Sequence, residues 1–163
     1  MSARAADGTG RELPPDEIGE IVVRGPGVMR GYWNDPEATR EFTLDGWIRT
    51  GDLGFMDDEG RISLVDRTKD VIIRAGQNVY PSEIERALMT HPAVRDAAVV
   101  GMPEEDYGEV PLAYVALEAG AEPDAQELLA HVAGLLTPYK RPRQVEFRCR
   151  AIRREDRQEA AAV

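Results

Sequence analysis

The fold of this chain is decided by residues 66–88, which read DRTKDVIIRAGQNVYPSEIERAL. Before this stretch, short apolar runs are separated by Gly, Pro and Asp, a pattern typical of strands and turns. Within it, the apolar run Val71-Ile72-Ile73 predicts a buried strand. Ser82 and Glu85 have the spacing of a capping box at the start of a helix. The sequence therefore changes at Asp66 from a β-rich segment to a unit of mixed α and β structure.

The residues that follow predict two helices and further strands. The predicted strands are residues 71–73, 94–101, 112–117 and 144–147, and the helices begin near Ser82 and Pro123 and end before Pro92 and Pro138. Apolar residues recur at helical spacing in both helices. They are Ile84, Ala87 and Leu88 in the first, and Leu128, Leu129, Val132, Leu135 and Leu136 in the second. We therefore predict an α+β fold with a β-α-β-β-α-β domain over 66–147, followed by a divergent charged tail over 148–163.

The segment before residue 66 predicts short strands and turns. The predicted strands are residues 20–24, 47–49, 53–56 and 61–65, and the last two are joined by a hairpin loop that ends in Gly60. Asp35 and Pro36 fit the N-cap and first position of a short helix. We expect residues 1–65 to form a strand-rich part that is too small to stand alone.

Composition excludes several classes of function. The formal net charge of −10 and the pI near 4.7 argue against a nucleic-acid partner, which needs a basic face. No apolar run approaches the roughly 18 residues of a membrane span. Cys149 is the single cysteine, so no disulfide framework is expected and a cytoplasmic location is predicted. His91 and His131 are interpreted as unlinked, and no metal cluster is predicted.

Three polar clusters have a spacing that packing does not require: residues 49–53, 66–70 and 76–85. In the first, Asp52 follows a glycine after a predicted strand, and its carboxylate is suited to accept both hydroxyls of a ribose. In the second, the guanidinium of Arg67 suits nucleotide hydroxyls or phosphate oxygens. The simpler alternatives are a turn between strands at Asp52 and an ion pair of Arg67 with a neighbouring aspartate.

Together the clusters resemble the adenylate-forming (AMP-binding) superfamily of acyl- and aryl-CoA synthetases, luciferases and peptide-synthetase adenylation domains, from Gly19 to Phe147. The resemblance implies that Asp52 and Arg67 contact the ribose of ATP and AMP. It implies that Lys69 is the hinge of a mobile C-terminal domain, against the alternative of a solvated lysine. It also implies that residues 1–65 belong to the β-barrel at the end of a large N-terminal domain.

The third cluster contains the loop Ala75, Gly76, Gln77 and Asn78. A glycine at this place allows positive φ or the close approach of a ligand. In CoA synthetases the similar loop lines the tunnel for the pantetheine of CoA; an ordinary strand-to-helix connection is the alternative. Tyr80-Pro81 and Asn78 are more similar to the CoA-ligase version of the motif than to the peptide-synthetase version.

The resemblance implies an ATP-dependent, AMP-forming ligase that converts a carboxylic acid to an acyl-adenylate and then to a CoA thioester. Family members use ATP, CoA and Mg²⁺, and the Mg²⁺ site is not expected in this chain. Acid and CoA would bind through a large domain, and the acyl selectivity and oligomeric state are not encoded in these residues.

The tail departs from the family pattern. The family's catalytic lysine follows a glycine near the position of Gln158, and the lysines of this chain are Lys69 and Lys140. We therefore assign no catalytic residue and expect a C-terminal part that is not catalytically complete alone. A non-catalytic interaction module and a fragment of a peptide-synthetase adenylation domain are the alternatives.

Overall fold

The computed structural model describes residues 1–148. The chain divides into two compact units, Met1–Lys69 and a second that begins at Asp70. The sequence places this change at Asp66, but the strand that contains Asp66 continues to Arg67 within the first unit. Each unit carries a five-stranded sheet and a small number of helices, which is the predicted α+β class.

The first unit is a sheet with one short helix. Its elements are β1 Ser2–Ala6, β2 Gly19–Arg24, α1 Pro36–Phe42, β3 Thr43–Leu44, β4 Trp47–Met56 and β5 Ile62–Arg67. The strand order is β1-β2-β4-β3, with β5 also paired to β4, and the paired strands are antiparallel. Strand β1 was not predicted, because its sequence SARAA has no β-branched or aromatic residue. It forms through residue-for-residue pairing with β2.

Local signals in the first unit predicted the helix but not the long strand. The Asp35 carboxylate accepts from the N–H of Ala38 at 2.9 Å and Pro36 opens α1, so the predicted cap is confirmed. The strands predicted over 47–49 and 53–56 are one continuous strand, β4. The alternative of a turn between strands at Asp52 is not seen, because residues 50–52 bulge from β4 without reversing the chain.

The second unit has two helices and a sheet of five strands. Its strands are β6 Ile72–Arg74, β7 Gln77–Val79, β8 Val94–Glu104, β9 Gly108–Leu117 and β10 Gln144–Arg148, and its helices are α2 Pro81–Met89 and α3 Ala125–Ala133. Short 3₁₀ turns occupy Thr68–Asp70, at the boundary of the units, and Pro138–Lys140. The order is β10-β9-β6-β7, with β8 paired to β9; β10 runs parallel to β9 and the other pairs are antiparallel.

A continuous apolar core fills the second unit. The inner faces of α2 and α3 contribute Ile84, Leu88, Leu128 and Val132, each with 0% of its surface exposed. They pack in one cluster with the inner residues of β6, β8, β9 and β10. Burial of such a side chain contributes roughly 1.5–3 kcal/mol, so this core is a major source of stability for the unit.

Two predictions about the helices are wrong. The N-cap of α2 is Tyr80, and Pro81 occupies the first turn, so Ser82 lies inside the helix and is not its N-cap as predicted. Glu85 is instead buried and accepts from the backbone N–H of Val99 at 2.9 Å. Helix α3 ends at Ala133, which leaves Leu135 exposed rather than on the inner stripe.

Candidate functional site

A bulge in β4 forms the centre of the first candidate site. Glu20 lies opposite Leu53 and Val22 lies opposite Arg49, so residues 50–52 of β4 face Ile21 alone. Gly51 has φ of 73°, a conformation that favours glycine. A Cβ on Gly51 would meet nothing within 4 Å, so the need for glycine is conformational rather than steric. Bulges re-aim side chains and are frequent beside functional sites.

Side chains satisfy the backbone of the bulge. The N–H of Gly51 donates to Glu20 Oε1 at 3.1 Å, and the N–H of Asp52 donates to Thr50 Oγ1 at 3.1 Å. The Thr50 hydroxyl donates to the carbonyl of Ile21 at 2.6 Å. The bulge is therefore held by two hydrogen bonds to β2 and by one within β4.

Glu20 also binds Arg49. The Glu20 side chain is about 10% exposed, and its Oε2 lies 2.8 Å from Arg49 Nε and 2.6 Å from Arg49 Nη2. Hydrogen bonding to Glu20 raises the pKa of Arg49. Sequence analysis missed Glu20, because its partners lie about thirty residues further along the chain. The sequence signal that could have pointed to Glu20 is its position, a charged residue directly before the apolar run Ile21-Val22-Val23 of a strand.

The bulge brings Asp52 and Arg67 together. They are directly opposite on β4 and β5, and Arg67 Nε lies 3.3 Å from Asp52 Oδ1. Asp66, one of the partners considered for Arg67, accepts a hydrogen bond from the backbone N–H of Arg67. The side chains of Asp52 and Arg67 are 31% and 52% exposed, so a ligand can reach both. The hydrogen-bond acceptor Asp52 and the hydrogen-bond donor Arg67 thus lie side by side on one surface.

An open groove of about 600 Å³ is lined by Arg67 of this pair and by Gly51, which directly precedes Asp52. Arg67 and Lys69 line it from the end of β5 and the turn that follows, and the edge-to-face ring pair Tyr32 and Phe42 lies along it, with centroids 5.3 Å apart. The other lining residues are Glu20, Ala38, Glu41, Arg49, Thr50, Gly51 and Thr68. The groove combines apolar surface with cationic groups, as a site for an anionic organic ligand requires.

The second candidate site is a tight hairpin in the second unit. Arg74 pairs with Gln77, so Ala75 and Gly76 form a two-residue turn, with φ of 49° and 78°. Positive φ at both positions is the requirement of a type I′ turn. The prediction of a loop over Ala75–Asn78 is wrong for Gln77 and Asn78, which lie in β7. They are in the strand because the turn already closes at Gly76.

Three contacts anchor the hairpin. The N–H of Ala75 donates to the carbonyl of Tyr107 at 2.8 Å, and Arg74 Nη1 donates to the carbonyl of Tyr139 at 2.9 Å. The N–H of Ile73 donates to Glu109 Oε2 at 2.8 Å. The turn is therefore fixed to β9 and to the segment before β10, while its tip carries no side chain larger than a methyl group.

Lys140 is committed to an ion pair. Its Nζ lies 2.7 and 2.8 Å from the two carboxylate oxygens of Glu83, and this contact raises the pKa of Lys140. The ion pair gives Glu83 a structural role. The ammonium group of Lys140 is thus paired with a carboxylate of its own unit.

The two histidines are not separate as predicted. The rings of His91 and His131 meet edge to face with centroids 5.0 Å apart, because the end of α2 and α3 adjoin. His131 Nε2 lies 2.7 Å from the Thr90 hydroxyl and His91 Nε2 lies 3.5 Å from a Glu127 oxygen. Across residues 1–148 no group of three or more His, Cys, Asp or Glu is placed to hold a metal ion.

Two further predictions concern a membrane span and the position of the family's lysine. Among the described residues, no helix has the length and apolar character to cross a membrane. Gln158, near the expected position of the family's lysine, lies outside the described residues.

Comparison with known proteins gives consistent sequence matches. The family described as AMP-binding enzyme C-terminal domain matches residues 83–154. A long-chain-fatty-acid–CoA ligase of Bacillus subtilis is 49% identical over 140 residues, which are 86% of this chain and 25% of the relative. A 2-succinylbenzoate–CoA ligase of Geobacillus kaustophilus is 46% identical over 138 residues, 85% of this chain and 28% of the relative. The chain spans about a quarter of the length of these relatives.

Solved structures match both units of the chain. ATP-bound MatB from Rhodopseudomonas palustris matches with a TM-score of 0.92 and 39% identity, over 98% of this chain and 34% of MatB. The o-succinylbenzoate-CoA synthetase MenE of Bacillus subtilis, in complex with the acyl-adenylate OSB-AMP, matches with a TM-score of 0.83 and 37% identity. That match covers 96% of this chain and 32% of MenE.

Proposed function

We propose that this chain, which belongs to the adenylate-forming (AMP-binding) superfamily and matches the C-terminal portion of its acyl- and aryl-CoA ligases, contributes the ribose contacts and the CoA-binding hairpin of such a ligase. In the ligase reaction a carboxylate attacks the α-phosphate of ATP and releases pyrophosphate. The thiol of CoA then attacks the acyl-adenylate and releases AMP. The family uses ATP or AMP and CoA.

The observation that carries the proposal is the pairing of Asp52 with Arg67. The Asp52 carboxylate can accept hydrogen bonds from both ribose hydroxyls, and charge strengthens such bonds. Arg67 donates from the adjoining strand, 3.3 Å away, to ribose or phosphate oxygens. Two residues from separate motifs thus meet on one accessible surface.

Lys69 is proposed as a hinge. The first compact unit ends at Lys69, which lies in the short 3₁₀ turn Thr68–Asp70. Hinges are typically a few residues at the ends of elements, where a change in φ and ψ disturbs little packing. The position of Lys69 supports this role.

The hairpin is proposed to line the path of the pantetheine of CoA. At Gly76 a Cβ would meet nothing within 4 Å, so the backbone at the turn is open to a ligand. The anchoring of Ala75 and Arg74 keeps that backbone in one conformation. A fixed and open backbone suits an extended ligand with amide groups.

The remaining components of the reaction are assigned outside these residues. Mg²⁺ would accompany the phosphates of ATP, and the described residues contain no suitable group of ligands. We propose that the carboxylic acid binds in the large domain of the ligase. The residues of this chain do not determine which acid it is. A cytoplasmic site of action is proposed, in agreement with a single cysteine.

Titration with AMP followed by amide NMR of the 163-residue chain tests the ribose contacts. We expect the amide signals of Gly51, Asp52 and Arg67 to shift, with a dissociation constant of about 1 mM, because only part of the site is present. Asp52→Ala should weaken binding about tenfold. Asp58→Ala, an exposed aspartate on the adjoining turn, is the matched control and should leave the affinity unchanged.

Two results would contradict this proposal. Shifts elsewhere with none at the bulge would place the nucleotide at another site. Equal losses of affinity in Asp52→Ala and Asp58→Ala would mean that AMP senses only the general negative charge.

A further inference from the structure

We infer that Glu20 is a positioning residue that holds Asp52 in the orientation needed for a ribose diol. The inference rests on the proposed function and assigns a role to a side chain that is not itself expected to touch the nucleotide. Glu20 lies in β2, and Asp52 lies in the bulge of β4.

The first argument is the burial of Glu20. It is 9% exposed, and the other charged residue buried to this degree among residues 1–148 is Glu85, in the second unit. A carboxylate taken out of water is costly unless hydrogen bonds and an opposite charge compensate. A glutamine or an apolar residue would avoid that cost in a strand of this kind, so the retained charge indicates a specific use.

The second argument is how the two carboxylate oxygens are used. Oε1 accepts from the N–H of Gly51, directly before Asp52, and Oε2 accepts from Arg49 at the start of the bulge. The backbone of Glu20 lies opposite Leu53, directly after Asp52. One residue therefore contacts both sides of the segment that presents Asp52.

The third argument is that little else fixes Gly51 on the side of β2. Three residues of β4 face Ile21 alone, so the ladder between β2 and β4 is interrupted there, although Asp52 is paired with Arg67 of β5. Gly51 adds flexibility, because glycine populates several backbone conformations. Thr50 bonds to Ile21 and Asp52 but does not restrain Gly51 directly. Without Glu20, the Gly51 peptide would lose its side-chain partner, and the backbone before Asp52 would be less restrained.

The test compares AMP with its 2′,3′-dideoxy analogue by amide NMR titration of the full chain. In the wild type, AMP should bind about tenfold more tightly, since the analogue lacks the hydroxyls that Asp52 accepts. Glu20→Ala should reduce this ratio to nearly one. Glu20→Gln, which keeps an acceptor for Gly51 but loses the charge facing Arg49, should give an intermediate ratio and is the variant to use if Glu20→Ala does not fold.

The ratio separates positioning from a loss of stability. If a variant only unfolded part of the sample, its apparent affinity for both nucleotides would fall by the same factor and the ratio would persist. Glu12→Ala, which removes a glutamate paired with Arg4 in the same unit, is the matched control and should keep the ratio. The double variant Glu20→Ala/Asp52→Ala should lose no more AMP affinity than Asp52→Ala alone, because both substitutions remove the same contact between Asp52 and the ribose.

The outcomes distinguish this inference from the proposed function. A wild-type chain that binds the two nucleotides equally would overturn the ribose contact and the role of Glu20 with it. A wild-type ratio that survives in both Glu20 variants would overturn the role of Glu20 alone and leave the ribose contact standing.

Discussion

The bulge in β4 and the hairpin between β6 and β7 are both short, glycine-containing stretches of backbone, but different groups hold each in place. Both place a glycine at positive φ, Gly51 at 73° and Gly76 at 78°. The bulge is held by a buried charge, Glu20, and presents a second charge, Asp52. The hairpin is held by one backbone–backbone hydrogen bond and by the side chains of Arg74 and Glu109, and its tip presents bare backbone. A site for a hydroxylated, charged ligand thus needs side chains that are fixed, whereas a site for an uncharged extended ligand needs only a fixed backbone.

The largest expected effect separates the two proposed half-reactions. No lysine follows Lys140 in the sequence, and Lys140 is paired with Glu83. When this chain replaces the matching part of a related CoA ligase, adenylation should slow by about 10²–10³, the usual effect of losing one preorganised electrostatic contact. Thioester formation from a supplied acyl-adenylate should slow much less, because it uses the hairpin. Single-turnover assays of each step, with the unaltered relative as control, measure both.

A rate of adenylation equal to that of the relative would contradict this expectation. It would mean that another cation, such as Arg157, acts on the α-phosphate.

The next effect concerns the cores on which the two sites are built. Leu88→Ala in the second unit should lower the free energy of unfolding by about 2–5 kcal/mol, since Leu88 is fully buried. Both tryptophans, Trp33 and Trp47, lie in the first unit. In urea denaturation, the transition monitored by circular dichroism should therefore shift in Leu88→Ala, whereas the transition monitored by tryptophan fluorescence should not.

Val22→Ala, at a buried position of β2, is the counterpart in the first unit and should shift the fluorescence transition. Identical shifts of both signals in Leu88→Ala would show that the units unfold together.

A smaller effect compares the two glycines directly. Gly51→Ala and Gly76→Ala should each destabilise by roughly 1–2 kcal/mol, the cost of a side chain in the left-handed region. Gly27→Ala, where φ is not positive and a Cβ meets nothing within 4 Å, is the control and should be close to neutral. Gly51→Ala should also weaken the AMP contact, and Gly76→Ala should leave it unchanged; the opposite result would exchange the roles of the two turns.

The smallest effect is a pH dependence in the second unit. Glu83 raises the pKa of Lys140 above its ordinary value of 10.5. The stabilisation is therefore complete below pH 10.5 and disappears as the pH rises through the higher value of the folded state. The difference in urea midpoint between the wild type and Lys140→Gln, below about 1 kcal/mol, should be constant from pH 7 to about 10 and shrink above that. A difference that does not shrink above pH 10.5 would contradict the ion pair as its source.

Sequence patterns predicted the parts of the fold that depend on nearby residues. The helices α2 and α3 follow from apolar residues at helical spacing, and the cap of α1 follows from Asp35 and Pro36. Strand β1 has no such pattern and depends on its pairing with β2. The N-cap predicted at Ser82 is wrong because Pro81 starts the helix earlier.

The same distinction applies to the candidate sites. Asp52, Arg67 and the glycine of the hairpin were found from their motifs, and the ribose and CoA roles stay predictions. The continuity of β4 through its bulge depends on two neighbouring strands, and Glu20 meets Arg49 only in the folded chain. The contact of His91 with His131 likewise needs two helices to meet. Such long-range contacts leave no periodic signal in the sequence.

The pairing of β9 fixes a distance. At one end of β9, Gly108 pairs with Arg74, directly before the hairpin turn, and towards the other end Ala116 pairs with Arg148, the last residue of β10. At about 3.3 Å per residue these two points lie roughly 26 Å apart. The hairpin and the end of β10 therefore lie near opposite ends of β9. A strand of this length cannot bring both places to the same atom at once, so a ligase that used both would have to reorient the unit between steps.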